Sequence, residues 1–178
     1  MKKNNIETEV RSFISPLQYK KLNSFFKKSA KFLSLENQET HYFSGPNDLR
    51  IQKTDDIAKL WLKGGKLHQK SREDIVVRCQ KDDFENLENL LLKLGYKPEI
   101  KWFRKRNNFL WQGITVSLDF TKGYGYIIEL EKMGDKKSAK KNYDLLLYNL
   151  NKLEVELTPK EVFDKRFAYY KKNWRKLI

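Results

Sequence analysis

Two segments at opposite ends of the sequence each carry a pair of glutamates separated by one residue. The first pair is Glu7 and Glu9, and the second is Glu129 and Glu131. In both segments apolar residues alternate with the acidic ones, which is the pattern of a β-strand with one polar face. Each pair therefore projects from a single strand face. Two carboxylates placed in this way can together bind one hard divalent cation, such as Mg²⁺ or Mn²⁺.

Basic side chains occupy the polar faces of the strand-like segments between these pairs. They alternate with apolar residues, as the glutamates do. The set consists of Arg50, Lys63, Arg104 and Arg106, and Arg11 shares the face of the first segment with Glu7 and Glu9. One further carboxylate, Asp119, shares a predicted strand face with Ser117. Arginine and lysine bind phosphate oxygens, so the middle strands are suited to an anionic ligand.

The elements that must position these residues are short strands and amphipathic helices. A helix is predicted from Pro16 through Phe32 and Leu33, and further helices over 81–94 and 139–153 and from the Thr158 cap onward. Strands are predicted at 6–11, 40–43, 48–53, 58–63, 73–79, 101–110, 114–120 and 126–131. Cys79 is interpreted as a strand residue.

This pattern predicts an α+β fold: a closed or nearly closed antiparallel β-barrel, or tunnel, with helices packed outside. If the apolar strand faces are covered by helices, the charged faces line the interior. So many charges cannot form a dry core unless opposite charges, metal ions and ligand share the space. We therefore expect a wet, ligand-filled tunnel.

Length and composition set the remaining bounds. The 178 residues suit a single domain, 1–178, with a helical C-terminal segment at 138–178. The net charge of +14 attracts anions, including nucleotides, polyphosphate and nucleic acid. No apolar run is long enough to span a membrane and no signal peptide is apparent, so we expect a cytoplasmic protein.

Each feature also has a simpler interpretation. A single pair of alternating glutamates is most often a solvated strand face, and a single arginine is most often a surface residue. The simpler interpretation predicts that Trp61 is a packing residue and that His41 and His68 lie on the surface. Only the shared alternation over many strands favours a binding site.

The same residues carry a resemblance to a known family. Residues 7–11, ETEVR, resemble the opening ExExK signature of the CYTH proteins, and residues 125–131, GYIIELE, resemble their closing GxFxExE segment. The segments around Arg50, Lys63, Arg106 and Asp119 are similar to the strands between them. The family includes class IV adenylyl cyclases, thiamine triphosphatases and inorganic triphosphatases.

The resemblance implies roles for individual residues. The implied ligands of one or two Mg²⁺ or Mn²⁺ ions are Glu7, Glu9, Asp119, Glu129 and Glu131. The implied triphosphate contacts are Arg11, Arg50, Lys63, Arg72, Arg104 and Arg106. Of these, Glu7, Glu9, Arg11, Arg50, Lys63 and Arg106 are the implied catalytic residues.

Three positions depart from the family pattern. Arg11 stands where the signature has lysine, so a planar guanidinium replaces a compact ammonium group. Gln52 stands where many members have a second arginine. The family usually has an RxExE pattern near Arg72, and in residues 72–76 of this chain, REDIV, only Arg72 and Asp74 keep its register.

The resemblance implies a metal-dependent enzyme acting on a small-molecule triphosphate. We expect a triphosphatase, with class IV adenylyl cyclase as the alternative and a non-enzymatic binder of RNA or polyphosphate as a second alternative. The paired glutamates oppose the binder, because they repel phosphate unless a cation intervenes. We therefore expect no nucleic-acid partner. No membrane partner is expected either, because no apolar run could span a membrane, and a homodimer is left open.

Overall fold

The computed structural model describes residues 6–63 and 74–178, and within them the chain forms eight β-strands and four α-helices. The strands are β1 (Ile6–Ile14), β2 (Lys31–Phe43), β3 (Asp48–Lys53), β4 (Ile57–Lys63), β5 (Asp74–Gln80), β6 (Pro98–Trp111), β7 (Ile114–Thr121) and β8 (Gly125–Gly134). The helices are α1 (Pro16–Ser29), α2 (Phe84–Lys93), α3 (Ala139–Lys152) and α4 (Lys160–Leu177). The predicted α+β class is confirmed.

The strands belong to one antiparallel sheet. Among the described residues, hydrogen-bonded neighbours follow the order β1-β8-β7-β6-β2-β3-β4-β5, so β1 and β5 are end strands and hydrogen bonds do not close the sheet. The order of the strands is consistent with a tunnel-like fold. Closure of the sheet into a tunnel remains a prediction.

The chain divides into two compact units. The first contains the described residues up to Leu35 together with Lys105–Ala168, and the second contains Glu36–Arg104 and Tyr169–Ile178. Strands β2 and β6 and helix α4 each contribute residues to both units. Glu7, Glu9, Glu129 and Glu131 all belong to the first unit.

The first unit has a core on the apolar face of β1, β7 and β8, covered by α1 and α3. Its fully buried members include Phe26, Phe109, Ile128, Leu130, Leu146 and Leu150. The second unit has a smaller core between β3, β4 and α2, formed by Phe43, Ile51, Ala58, Phe84 and Leu91. Each core fixes which strand face is left for polar side chains, because side chains alternate across a strand.

Local sequence determines where several elements begin and turn. Ser15 caps α1: its hydroxyl accepts a hydrogen bond from the Gln18 N–H, and the Gln18 side chain accepts one from the Ser15 N–H. The β6–β7 hairpin turns through Gln112 and Gly113, both at positive φ (51° and 72°). Two residues at positive φ form the tight turn that matches the twist of the flanking strands.

The predicted extent of the first helix is wrong at its C-terminal end. Helix α1 stops at Ser29, and Phe32 and Leu33 belong to β2, which begins well before the predicted start at Thr40. Phe32 lies seven residues after Phe25, which is the spacing of two helical turns, so the apolar pattern resembles that of a continued helix. The backbone is extended from Ala30 onward, and β2 pairs within the sheet beside β6. Tertiary pairing thus overrides the helical spacing.

The alternation around Leu130 generates a stability prediction. Leu130 is fully buried although it lies between Glu129 and Glu131. We expect Leu130→Ala to lower the free energy of unfolding by about 2–5 kcal/mol, because it leaves a cavity in the core. The matched control, Leu17→Ala, removes a side chain that is 77% exposed and should cost less than about 1 kcal/mol. Equal losses in urea unfolding would contradict this assignment of the faces.

Candidate metal and phosphate site

The register of β1 and β8 brings the two glutamate pairs onto one face. Glu9 lies directly opposite Glu131 in the ladder, and Arg11 lies opposite Glu129. Glu7 lies on the same face, two residues further along β1. Val10 and Leu130, which lie between these charged residues, are buried in the first core. Like charges directly opposite each other in a ladder are destabilising, so this face is built at a cost in stability.

Strand β7 extends the same face. Thr115 lies opposite Glu131, and Ser117 lies opposite Glu129. Asp119, two residues further along, is only 2% exposed. The structure therefore brings the five predicted metal ligands to one face of three neighbouring strands.

Arg106 on β6 is the internal counter-ion of this face. Its Nε donates to Asp119 Oδ1 and its Nη2 to Asp119 Oδ2, both at 2.7 Å. Nη2 also donates to Glu129 Oε2 at 3.0 Å. Burial alone would lower the pKa of Arg106, but the Asp119 hydrogen bonds and the Glu129 charge outweigh it and raise that pKa. Arg106 therefore stays charged and holds two carboxylates in place.

The charges of Glu9 and Glu131 are less well compensated. Burial, together with the charges of Glu7, Glu129 and Glu9, raises the pKa of Glu131 to about 7. Burial and the Glu129 charge also raise the pKa of Glu9, although the nearby Arg11 opposes this. The Glu9 side chain nevertheless remains exposed to solvent, so the surrounding protein desolvates it only in part. An added cation would relieve this repulsion.

The donor set fits Mg²⁺ or Mn²⁺ in type, since both ions prefer carboxylate oxygens. Within residues 6–63 and 74–178, however, no three His, Cys, Asp or Glu side chains already converge on one point that could hold an ion. The oxygens of Asp119 are both engaged by Arg106. The glutamate side chains would have to rotate toward one another to bind an ion together.

In the second unit, contacts with three side chains restrict the orientation of Arg50. Its Nε donates to Asp48 Oδ1 at 2.6 Å, and its Nη2 pairs with the other oxygen of Asp48. The guanidinium carbon lies 4.3 Å from the ring centre of Tyr42 and 5.3 Å from that of Trp61. Stacking on aromatic rings restricts an arginine to one plane. Asp48 was missed by the sequence analysis, although its spacing of two from Arg50 is a usable signal.

The remaining predicted phosphate residues are placed as follows. Arg104 donates through Nε to Gln38 Oε1 at 2.8 Å, and Gln52 donates to the Thr40 hydroxyl at 2.8 Å. Lys63 ends β4, where its backbone lies opposite Asp48. Arg72 and His68 lie outside the described residues. The structure thus gives Gln52, the departure from the family pattern, a buried structural partner.

His41 is not the surface residue that the sequence predicted. It is 1% exposed, and its Nε2 lies 2.7 Å from Glu39 Oε1 while its Nδ1 lies 3.1 Å from Glu88 Oε1. Lys53 and Lys101 pair with the same two carboxylates. The His41 hydrogen bond, with help from Lys53, lowers the pKa of Glu39 to about 2. Helix α2 supplies Glu88, and no local pattern could have indicated that partner.

The comparison with known proteins agrees with the fold. The sequence matches the CYTH domain family over residues 5–160, so the chain belongs to the CYTH domain family, as the resemblance predicted. Family membership also bears out the prediction of an enzyme, without separating triphosphatase from cyclase.

Individual proteins are also similar to this chain in sequence or in structure. A Methanocaldococcus jannaschii protein named "putative adenylate cyclase" is 32% identical over 138 residues, covering 71% of this chain and 77% of its own. A solved Pyrococcus horikoshii structure is 25% identical, with a TM-score of 0.66 over 85% of this chain and 92% of its own. A Vibrio parahaemolyticus structure, named like the first relative, is 15% identical with a TM-score of 0.65 over 89% and 98%. The last of these bears on the fold alone.

Among the described residues, none of the helices has the length and apolar character needed to cross a membrane.

The raised pKa of Glu131 predicts a pH dependence of stability in metal-free protein. Its value of about 7 exceeds the ordinary 4.5, so charging this group opposes folding. The stability that this group contributes is present below about pH 4.5 and is lost as pH rises through 7. Glu131→Gln should remove the loss and stabilise the protein by about 1 kcal/mol at pH 8 but not at pH 4.5, after allowance for solvent screening.

The measurement is urea unfolding in a chelator at both pH values. The control is Glu154→Gln, the same chemical change at a side chain that is 80% exposed and pairs with Lys21. A variant that is equally stabilised or destabilised at both pH values would contradict the repulsion around Glu131.

Proposed function

We propose that this protein is a metal-dependent triphosphatase that hydrolyses an inorganic or organic triphosphate. The observation that carries the proposal is the direct opposition of Glu9 and Glu131 across the β1–β8 ladder. A polyanion binder gains nothing from such a face, because carboxylates repel phosphate. The face becomes favourable when a divalent cation neutralises it.

Members of the CYTH family are generally metal-dependent. Glu7, Glu9, Glu129 and Glu131 are the residues that would hold Mg²⁺ or Mn²⁺. The ion would supply positive charge to phosphate oxygens and offset the carboxylate repulsion. Asp119 is better suited to orient Arg106, because both of its oxygens accept hydrogen bonds from that guanidinium.

Arg106 and Arg11 are suited to phosphate contacts in the first unit. Three N–H groups of Arg106 are used by Asp119 and Glu129, and Nη1 makes no hydrogen bond to any described residue. A guanidinium carries five N–H donors, so two remain for phosphate oxygens. Fixed donors of this kind stabilise the charge that builds up on phosphate oxygens as water attacks phosphorus.

Arg50, Lys63, Arg72 and Arg104 remain proposed phosphate contacts on the strength of the family resemblance. For Arg50 the geometry adds support, since Asp48 and two aromatic rings hold its guanidinium in a fixed plane. An arginine fixed before binding loses little entropy when it contacts a ligand. The proposed substrate is a small-molecule triphosphate.

Class IV adenylyl cyclase is the second candidate, because the Methanocaldococcus jannaschii relative is named a putative adenylate cyclase. A cyclase must hold adenine as well as the triphosphate, so that the ribose 3′-oxygen reaches the α-phosphorus. The features that support our first choice recognise phosphate and metal only. The two candidates therefore differ in what they require beyond the triphosphate.

The metal assignment predicts the effect of Glu9→Gln, which keeps the shape of the side chain and removes its charge. We expect tripolyphosphate hydrolysis to fall at least about tenfold at limiting Mg²⁺ and to recover partly as Mg²⁺ is raised. Folding should be unimpaired, because repulsion is relieved. The matched control, Glu154→Gln, should behave as the unaltered protein. Normal turnover by Glu9→Gln at limiting Mg²⁺ would refute the assignment.

The choice of reaction predicts a substrate preference. A site that recognises phosphate and metal should turn over tripolyphosphate at least as well as ATP, since adenosine adds little where nothing binds it. The measurement follows orthophosphate, pyrophosphate and cyclic AMP with tripolyphosphate, thiamine triphosphate and ATP, each with Mg²⁺ or Mn²⁺. Conversion of ATP to cyclic AMP and pyrophosphate, with tripolyphosphate left intact, would instead establish the cyclase.

A further inference from the structure

Arg11 is stacked on an aromatic side chain of α4. Its guanidinium carbon lies 4.7 Å from the ring centre of Phe163. The Phe163 ring in turn stacks on Phe13, with ring centres 4.4 Å apart and planes 24° apart. The guanidinium carbon of Arg166 lies 4.1 Å from the ring centre of Phe13. The result is a column of two guanidinium groups and two rings on the polar face of β1.

The start of α4 is tied to β1 by hydrogen bonds. The Thr158 hydroxyl accepts a hydrogen bond from the Phe13 N–H at 2.9 Å, and the Thr158 N–H donates to the Ser12 hydroxyl at 2.8 Å. The Ser12 hydroxyl also donates to the carbonyl of Glu156. Ser12 is fully buried, so these bonds are shielded from water. They fix where the first turn of α4 lies on β1.

Phe163 is therefore held in place independently of Arg11. It is only 6% exposed, and its partner Phe13 also contacts Tyr124, with ring centres 5.3 Å apart. The match to the CYTH family ends at residue 160, so Phe163 and Arg166 lie beyond it. Phe163 thus lies outside the matched range and contacts Arg11, the signature position at which the family has lysine.

We propose that Phe163 is a positioning residue that sets the plane of the Arg11 guanidinium. A lysine ammonium is a point donor that needs no particular plane, whereas the planar fork of arginine binds phosphate oxygens well only in the correct orientation. The ring of Phe163 supplies that orientation on the face that also carries Glu9 and Glu129. This inference rests on the proposed role of Arg11 in binding a triphosphate.

A double-mutant cycle tests the coupling of the two side chains. Phe163→Leu keeps an apolar side chain and removes the ring, and Arg11→Lys restores the family residue. In the Arg11 background, Phe163→Leu should raise the KM for tripolyphosphate about three- to tenfold with little change in kcat. In the Arg11→Lys background the same change should raise KM less than about twofold. Phe163→Tyr, which retains a ring, should preserve the KM of the unaltered protein.

A structural control separates positioning from general destabilisation. Phe109→Leu makes the same substitution at a fully buried phenylalanine of the same unit that stacks on Phe26. It should lower the melting temperature without changing KM. Equal KM increases from Phe163→Leu in the unaltered protein and in the Arg11→Lys variant would overturn the proposal, because the ring would then act only through the fold.

A spectroscopic measurement tests the stacking without any substrate. In ¹⁵N-edited NMR, the Nε–Hε signal of Arg11 should be shifted by the ring current of Phe163 and should move when Phe163 is replaced by leucine. A signal that does not respond would overturn the positioning role. Failure of the unaltered protein to bind or hydrolyse tripolyphosphate would instead overturn the proposed function, so the two failures are distinguishable.

Discussion

The opposition of Glu9 and Glu131 across the β1–β8 ladder is the constraint on which the site depends. The register is maintained from the other side of the sheet, where Val10 and Leu130 are paired and buried in the first core. A slip by one residue would move these apolar side chains to the polar face and the glutamates into the core. The hydrophobic core therefore holds the carboxylates together against their mutual repulsion.

Arg106 compensates only part of this charge. It is committed to Asp119 and Glu129, while burial and carboxylate repulsion raise the pKa values of Glu9 and Glu131. A buried arginine paired to two carboxylates is expensive to remove, because the partners would be left unpaired. The face thus combines a fixed internal cation with a net negative charge that an added divalent ion can neutralise.

Stacked arginines recur in both units of the chain. In the first unit Arg11 stacks on Phe163, and in the second unit Arg50 lies against Tyr42 and Trp61. In each case an aromatic ring restricts a long side chain that would otherwise sample many rotamers. Trp61 is therefore the packing residue that the sequence analysis expected, and what it packs against is the guanidinium of a proposed phosphate contact.

The sequence by itself determined the strand faces. The alternation at Glu7, Glu9, Glu129 and Glu131 was sufficient to place these residues on the polar faces of two strands, because a period of two is a local property of the backbone. It also identified the family, since the signature residues lie in two short segments. The extent of α1 was predicted wrongly because Phe32 and Leu33 fit a helical period as well as a strand.

Only the tertiary structure decided which side chains meet across elements. The Arg106–Asp119 pair, the burial of His41 against Glu88 and the stacking of Phe163 on Arg11 all join residues from different elements. These contacts depend on strand register and on how each helix packs on the sheet. Local sequence carries no information about such distances, because they are set by the long-range pairing that buries the cores.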